Sequence, residues 1–507
     1  MKYLATIGLE IHAELKTKSK MFCSCPNAPD EKHPNIHICP TCLGHPGTLP
    51  VINKEAVLSV LKVGLALNCK INNQAKFDRK NYFYPDLPKG YQISQYDQPL
   101  CSYGQLGLYL SPDPEINKKK IDIIRIHLEE DTARLIHPDD KKSTLIDYNR
   151  AGRPLMELVT EPDIHSAQEA KLFAQGLQLL LRYLDVSEAD MEKGQMRVEA
   201  NVSVGEAPDN YDSSKIETKY LGIKVEVKNL NSFKAVEKAI EYEIERQIEV
   251  LKRGGKVVQE TRGWDDNKGI TYSQRSKEEA HDYRYFPEPD LPPLIITSHQ
   301  PEIPSFIDLE DLKKQLPILP WEAKESLIKN YGLEENQAIL LINEPEFNNF
   351  FLKTIKIGES KIISDLQEKF INLAYNYLTS DLKGLMADNN LNFSDLKIIP
   401  EHFADLIVLL IKGDLASRGA KNILEEMIKT GKEPKILMQE LGLTKISDQN
   451  ALIKIIQEVI ETNPGPVNDF KNGKTNALQF LIGQCMAKTK GAADPSTLKE
   501  MIEKELQ

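Results

Sequence analysis

The spacing of apolar residues changes near residue 293, and this change limits the possible folds more than any other feature of the sequence. Before it, short segments alternate apolar and polar side chains. Residues 197–204, for example, are apolar at every even number and polar at every odd number. Strands with one buried and one polar face have this period of two. After it, helix-length segments rich in Leu, Ile, Lys and Glu run to residue 507.

These patterns predict an α+β fold with three domains. An antiparallel sheet with flanking helices occupies residues 1–293, which end in the proline-rich segment 285–293. Two all-α domains follow, at 294–400 and 401–507. A chain of 507 residues is long enough for about three domains of ~150 residues each.

The net negative charge of the chain indicates that its surface as a whole does not attract polyanions such as nucleic acids. The chain has 64 Lys and Arg against 75 Asp and Glu, a net charge of −11. Between residues 463 and 491, however, four lysines are opposed only by Asp469, and we expect this excess to contact phosphate groups. These lysines are Lys471, Lys474, Lys488 and Lys490. No segment is apolar for long enough to span a membrane and none is typical of an export signal, so we expect a cytoplasmic protein.

Four of the seven cysteines form two close pairs separated by thirteen residues. They are Cys23, Cys25, Cys39 and Cys42. Zinc knuckles deliver four sulfurs from two turns in this way, and four thiolates leave no open position for a substrate, so we predict a structural zinc site. The spacing of the first pair is shorter than usual, and a neighbouring histidine could replace one ligand. The candidates are His33, His37 and His45.

Carboxylates and histidines share the polar faces of predicted strands. The opening strand places Glu10 and His12 on one side, about 7 Å apart. In residues 124–129 the alternation directs three polar side chains outward. They are Arg125, His127 and Glu129. Glu157 lies within an apolar segment, where an acid needs a partner. A hard cation such as Mg²⁺ is one candidate partner, and an Arg or Lys is the other.

Residues 77–89 combine four aromatic with three cationic side chains between prolines and glycines. Cations contact phosphate and aromatic rings stack on bases, so this loop suits ATP or the 3′ end of an RNA. The candidate contacts are Arg79, Lys80, Tyr82 and Tyr84. The alternative is an aromatic loop packed on the sheet, with its lysines in solvent.

Six blocks, in order along the first 290 residues, resemble the GatB family, which contributes one subunit to the tRNA-dependent aspartate/glutamate amidotransferases. The blocks are residues 7–12, 77–97, 127–131, 149–163, 227–233 and 282–290. Residues 463–491 are similar to the YqeY-type helical domain that ends the same family. The resemblance therefore covers both ends of the chain.

The resemblance implies a cradle-like catalytic domain in residues 1–293 and a YqeY-like, tRNA-binding tail in residues 401–507. It implies conversion of Glu-tRNA(Gln) to Gln-tRNA(Gln), of Asp-tRNA(Asn) to Asn-tRNA(Asn), or of both. ATP phosphorylates the side-chain carboxylate and ammonia displaces the phosphate. The cofactors that it implies are ATP and Mg²⁺, while the structural Zn²⁺ is predicted from the cysteine spacing alone. The catalytic magnesium ligands that it implies are Glu10, His12, Glu129 and Glu157.

The resemblance also implies two protein partners. The family obtains ammonia from an amidase-type glutaminase, and a small third subunit stabilises the pair in a heterotrimer. This fits the present chain, since no serine or cysteine stands in a nucleophile motif. A second interpretation is a zinc-containing tRNA-binding adaptor that has no catalytic role. The shared strand faces of Glu10, His12 and Glu129 favour the enzyme, because an adaptor does not need converging metal ligands.

Overall fold

A computed structural model describes residues 2–138, 143–208, 220–276, 282–297, 306–443, 449–471, 474–489, 493 and 495–506. The chain divides into two compact units, Met1–Ala323 and Lys324–Gln507. The first unit contains a sheet with flanking helices, and the second is helical. The predicted α+β fold, with a sheet-rich region before a helical one, is therefore confirmed. The finer division at residues 293 and 400 stays a prediction.

Sixteen strands occur in the described part of the first unit. They are β1 (Lys2–Glu14), β2 (Lys70–Ile71), β3 (Gln74–Ala75), β4 (Asp78–Asn81), β5 (Tyr91–Ser94), β6 (Cys101–Gly107), β7 (Lys120–Glu130), β8 (Arg134–Ile136), β9 (Leu145–Asp147), β10 (Pro154–Thr160), β11 (Met196–Ala207), β12 (Val225–Leu230), β13 (Glu260–Asp265), β14 (Ile270–Ser276), β15 (Phe286–Pro287) and β16 (Leu294–Ile295).

Nine of these strands form one sheet, in the order β14-β13-β12-β11-β1-β10-β7-β6-β2. Every pair in it is antiparallel except β12 with β13, which run parallel. A small sheet, β15-β4-β5, carries the loop of aromatic and cationic residues. The opening strand β1 lies at the centre of the large sheet, so its polar side chains have neighbours on both sides.

The helices in the described residues fall into two groups. Those that begin in the first unit are α1 (Lys54–Ala66), α2 (Pro114–Asn117), α3 (Ala167–Tyr183), α4 (Phe233–Lys252), α5 (Leu309–Lys314) and α6 (Pro320–Tyr331). Those in the second unit are α7 (Glu335–Ile342), α8 (Pro345–Glu359), α9 (Gln367–Asn376), α10 (Lys383–Asp388), α11 (Pro400–Lys412), α12 (Ser417–Thr430), α13 (Pro434–Glu440), α14 (Gln449–Thr462), α15 (Pro464–Lys471), α16 (Thr475–Lys488) and α17 (Pro495–Leu506). Among the described helices, none has the length and apolar character required to cross a bilayer.

The apolar face of the large sheet packs against α1, α3 and α4. Ile7, Leu9 and Ile11 of β1 are fully buried there, as their alternation with polar residues predicts. Helix α4 begins after Ser232, whose hydroxyl accepts a hydrogen bond from the amide of Ala235. Because the helices occupy one face, the polar side chains of the central strands are left together on the other.

Candidate functional site

Four side chains from three neighbouring strands converge on the polar face of the sheet. His12 on β1 lies opposite Glu157 on β10, which lies opposite His127 on β7. The Nε2 atom of His12 is 3.2 Å from Glu157 Oε2, and that of His127 is 3.3 Å from the same oxygen. Glu129 Oε1 is 3.8 Å from His12 Nε2. Ligand atoms of His12, Glu129 and Glu157 all lie within 4.8 Å of one another, the spacing of a shared cation site.

The electrostatic environment of this group favours positive charge. Burial alone would lower the pKa of His127, but Glu157 and Glu129 raise it to about 9. Burial opposes the ionisation of Glu157, yet the two histidines hold its pKa well below the usual range. The carboxylates thus raise the pKa of both histidines and favour positive charge between them. A bound cation would supply such a charge.

The structure corrects one expectation about β7. His127 and Glu129 lie on the polar face as predicted, but they do not face solvent, since only 3% and 2% of their surfaces are exposed. The small sheet packs over β7, and the hydroxyl of Ser94 on β5 donates a hydrogen bond of 2.9 Å to Glu129 Oε2. Strand alternation determines only which face of the sheet a side chain occupies. Whether that face is exposed to solvent depends on what packs over it.

Glu10 lies in a second acidic group beside the first. It pairs directly with Glu199 on β11, and carboxylate oxygens of Glu10, Glu199 and Glu226 lie within 4.8 Å of one another. Asn201 Nδ2 donates to Glu10 Oε1 at 2.8 Å, and the Lys228 ammonium lies 2.9 Å from Glu199. Of the four predicted magnesium ligands, the structure thus brings three together and places Glu10 with other acids. The assignment of these ligands stays a prediction.

The cation-rich loop contributes Lys80 to the first group. Despite burial, the carboxylates of Glu129 and Glu157 raise the pKa of Lys80, and its ammonium lies over the ring of Tyr283. Arg79, in contrast, is held by Glu288 through two hydrogen bonds of 2.7 and 2.8 Å. Of the two predicted cations, Lys80 is therefore the one that faces the acids.

The aromatic side chains of this region divide between the interior and the surface. Tyr82 is partly buried and donates from its hydroxyl to Gln92, whereas Tyr84 is exposed next to Phe83, of which 91% is exposed. Tyr96 and Tyr285 stack with ring centroids 4.2 Å apart. The loop is therefore neither fully packed on the sheet nor wholly in solvent.

The four cysteines come together as the spacing predicts. One sulfur from each lies within 4.8 Å of the others, and the amide of Cys39 donates to Cys42 Sγ at 3.1 Å. The hydrogen bond from Cys23 and the nearby ammonium of Lys20 lower the pKa of Cys42 to about 4. Lys20 is 1% exposed, and its Nζ lies 3.8 Å from that sulfur. Four sulfurs within reach of one ion and an N–H···S donor to Cys42 fit a zinc ion.

The tail lysines differ in their surroundings. Lys474 pairs with Asp469 at 3.0 Å, and Lys488 pairs with Glu458. Lys471 lies in the last turn of α15. Lys490 lies outside the described residues. The proposed phosphate contacts of the tail stay predictions.

Sequence reasoning did not select several residues that form the site. Glu199 and Glu226 lie on strands with clean alternation, so the sequence alone predicts which face of the sheet they occupy. That β11 pairs with β1, and β12 with β11, could not be predicted, because strand order depends on long-range pairing. The sequence placed His127 on the polar face of its strand but did not predict its contact with Glu157. Lys20 gave no signal, since a single lysine in a loop is usually exposed.

A sheet-rich unit with two acidic groups on one face and a four-cysteine cluster in the loop after β1, followed by a helical unit, is the arrangement that the comparisons with known proteins have to match. Residues 5–302 match the family model described as the GatB/GatE catalytic domain, and residues 361–506 match the one described as the GatB domain. The chain belongs to the GatB/GatE family.

Curated relatives match over the whole of both chains. Proteins named as the B subunit of aspartyl/glutamyl-tRNA(Asn/Gln) amidotransferase are 45% identical over 512 residues in Caldicellulosiruptor bescii and 46% over 507 in Caldanaerobacter subterraneus. The Thermotoga maritima protein of that name is 43% identical over 511 residues. In each case the match covers 100% of this chain and of the relative. The resemblance drawn from the sequence blocks is confirmed.

Proposed function

We propose that this chain is the amidating subunit of a glutamine-dependent carbon–nitrogen ligase. It converts Glu-tRNA(Gln) to Gln-tRNA(Gln), Asp-tRNA(Asn) to Asn-tRNA(Asn), or both. The relatives' name supports the substrate class. The observation that carries the chemistry is the pair of acidic groups around Glu10 and Glu157, side by side on one polar face.

The reaction needs two steps because a carboxylate is a poor acceptor for ammonia. First, an oxygen of the esterified Glu or Asp side chain attacks the γ-phosphorus of ATP, the bond to the β,γ-bridging oxygen breaks, and ADP leaves. Ammonia then attacks the acyl carbon, the carbon–oxygen bond to phosphate breaks, and inorganic phosphate leaves. The nitrogen loses a proton to give the amide. Positioning and charge neutralisation supply most of the catalysis in phosphoryl transfer.

His12, Glu129 and Glu157 would hold one Mg²⁺, and Glu10 with Glu199 and Glu226 would hold a second. Converging carboxylate oxygens are the donors that this ion prefers. Bound there, a divalent cation would neutralise charge on the phosphates of ATP. Asn201 orients Glu10 and the small sheet fixes Glu129, so the chain itself keeps the oxygens in place.

The aminoacylated end of a tRNA would approach along the opening strand, past the acidic groups. A cavity of about 580 Å³ opens at the end of β1 and is lined by Glu14, Arg150, Arg153 and polar side chains around them. Lys80 offers a cation, and the exposed rings of Phe83 and Tyr84 offer stacking surfaces for unpaired bases. In the tail, Lys471, Lys474, Lys488 and Lys490 would add contacts to tRNA phosphates.

The four-cysteine site would hold Zn²⁺ in a structural role. It lies in the loop after β1, and backbone bonds such as that from the amide of Met21 to the carbonyl of Gly152 attach this loop to the sheet. Ammonia would come from an amidase-type glutaminase partner, with a small third subunit in the same complex. The relatives' designation as one lettered component of an amidotransferase supports such an assembly. Free thiols in all seven cysteines fit a reducing compartment such as the cytoplasm.

The decisive experiment uses the assembled complex with free ammonium in place of glutamine. Glu157→Gln should lower ATP-dependent amidation of Glu-tRNA or Asp-tRNA by roughly a hundredfold or more, while tRNA affinity is kept. Glu241→Gln, a solvent-exposed acid on α4, is the matched control. Amidation at the wild-type rate in Glu157→Gln would support the alternative, a zinc-containing tRNA-binding adaptor.

A further inference from the structure

Arg125 is a partly buried cation on the face that carries the acidic groups, and one of its N–H donors has no acceptor in the described part of the chain. Its Nε atom is buried and makes no hydrogen bond there. The other basic groups on this face have acidic neighbours: Arg197 binds Asp131 at 2.8 Å and Lys228 binds Glu199. A buried guanidinium donor without an acceptor costs free energy, so its retention calls for a ligand.

A β-bulge places Arg125 on this face. Thr160 on β10 pairs with Ile123, and the next residue, Val159, pairs with Arg125, so Ile124 is an extra residue in β7. Ile121 and Ile123 are buried in the core, and uninterrupted alternation would have put residue 125 there too. The bulge shifts the phase by one residue, and Arg125 joins His127 and Glu129. Bulges next to active sites commonly re-aim a side chain in this manner.

Strand register then fixes where Arg125 stands relative to the acidic groups. Val159 pairs with Glu10 on one side and with Arg125 on the other. Arg125 is therefore two strand spacings, roughly 10 Å, from Glu10 along the sheet. It is also two residues from His127, which contacts Glu157. A group bound between the two acidic groups lies within reach of a long arginine side chain.

We propose that Arg125 binds the phosphoryl group that passes from ATP to the substrate carboxylate. A planar guanidinium makes paired hydrogen bonds to phosphate oxygens and stays charged at every working pH. During the transfer, negative charge spreads over the three equatorial oxygens of the γ-phosphorus as its bond to ADP breaks and its bond to the carboxylate forms. Arg125 neutralises that charge from the side of β7. The inference rests on the proposed amidation and adds a residue that lies outside both acidic groups.

The test separates the two chemical steps in the assembled complex. Hydroxylamine, supplied instead of ammonia, attacks the acyl phosphate and releases inorganic phosphate, so the ATP-dependent side-chain hydroxamate reports the first step. Hydroxylamine also cleaves the ester to tRNA, and the α-hydroxamate from that reaction is measured without ATP and subtracted. Arg125→Ala should lower both hydroxamate and amide formation by roughly a thousandfold, the scale of arginine effects in phosphoryl transfer. Added guanidinium should restore part of the rate, and Arg125→Lys should retain more activity than Arg125→Ala. Arg253→Ala, an exposed arginine at the end of α4, should change nothing.

Three results would overturn the role of Arg125 while leaving amidation itself established by the wild-type complex. The first is wild-type hydroxamate formation in Arg125→Ala. The second is loss of amide formation with hydroxamate formation intact. The third is loss of both rates without any rescue by guanidinium, which would indicate a structural role. A wild-type complex that makes neither product would instead reject the proposed function.

Discussion

Replacing Lys20 by Met should weaken zinc binding without touching a metal ligand. A zinc ion with four thiolates carries a net charge of about −2, and the buried Lys20 ammonium lies 3.8 Å from Cys42 Sγ. At an effective dielectric constant near 20, two unit charges at such a distance attract by about 4 kcal/mol. The cost of burying the ammonium offsets much of this attraction. Loss of a group that supports a metal ligand typically lowers affinity by about 10- to 100-fold, and we expect that range.

The assay is competition between the protein and a chelator of known zinc affinity, followed by the release of zinc at constant pH. Lys18→Met is the matched control, because Lys18 is exposed and only two residues away. Lys20→Arg keeps the positive charge, so its zinc affinity should lie between those of Lys20→Met and the wild type. Met is similar to Lys in length and apolar stem, so the zinc-loaded variant should keep its fold, which circular dichroism can verify. Equal zinc affinities for Lys20→Met and Lys18→Met would refute the reasoning.

Two further predictions concern stability. Although burial raises it, Arg197 and Arg150 hold the pKa of Asp131 at about 2, below its ordinary 3.8. The lowered pKa of Asp131 stabilises the fold at pH values above 3.8, and this stabilisation is lost as the pH falls toward 2. Asp131→Asn should therefore lower the free energy of unfolding by at least about 2 kcal/mol at pH 7 and by less at pH 3; a deficit that grows on acidification would contradict this. In the helical unit, Gly358→Ala would bring a methyl group within 2.0 Å of the Phe370 ring and should destabilise by about 1–3 kcal/mol, measured by urea unfolding. Gly384 has open space around it, so Gly384→Ala should not destabilise the protein. Equal losses of stability in the two variants would contradict the packing argument.

Local sequence patterns predicted the elements of the catalytic face well. The period of two in 7–12 and 197–204 placed Glu10, His12 and Glu199 on the correct side, because a strand in a half-buried sheet must keep its apolar residues inward. The four cysteines were readable for a related reason, since two tight turns can present four sulfurs whatever the rest of the fold does.

The pattern failed where a residue's neighbours come from distant parts of the chain. In β7 the bulge at Ile124 breaks the period, so the apolar face predicted from Ile124, Ile126 and Leu128 is only partly right: Ile124 is half-buried, and Ile121 and Ile123 fill the core before it. The burial of Glu129 was also missed, because the strand that covers it lies about 35 residues earlier and is recruited by tertiary packing.

The sequence by itself determined the fold class, the family and the polar faces of β1 and β11, where the alternation is unbroken. Tertiary structure alone decided how the acids are grouped. Strand order put Glu10 with Glu199 and Glu226 and left His12 with Glu129 and Glu157, although Glu10 and His12 are two residues apart. Strand register also set Arg125 and Glu10 on either side of Val159, and the loop after β1 brought Lys20 to the thiolates. Pairing across a sheet and burial under a second layer are long-range events, and no local spacing encodes them.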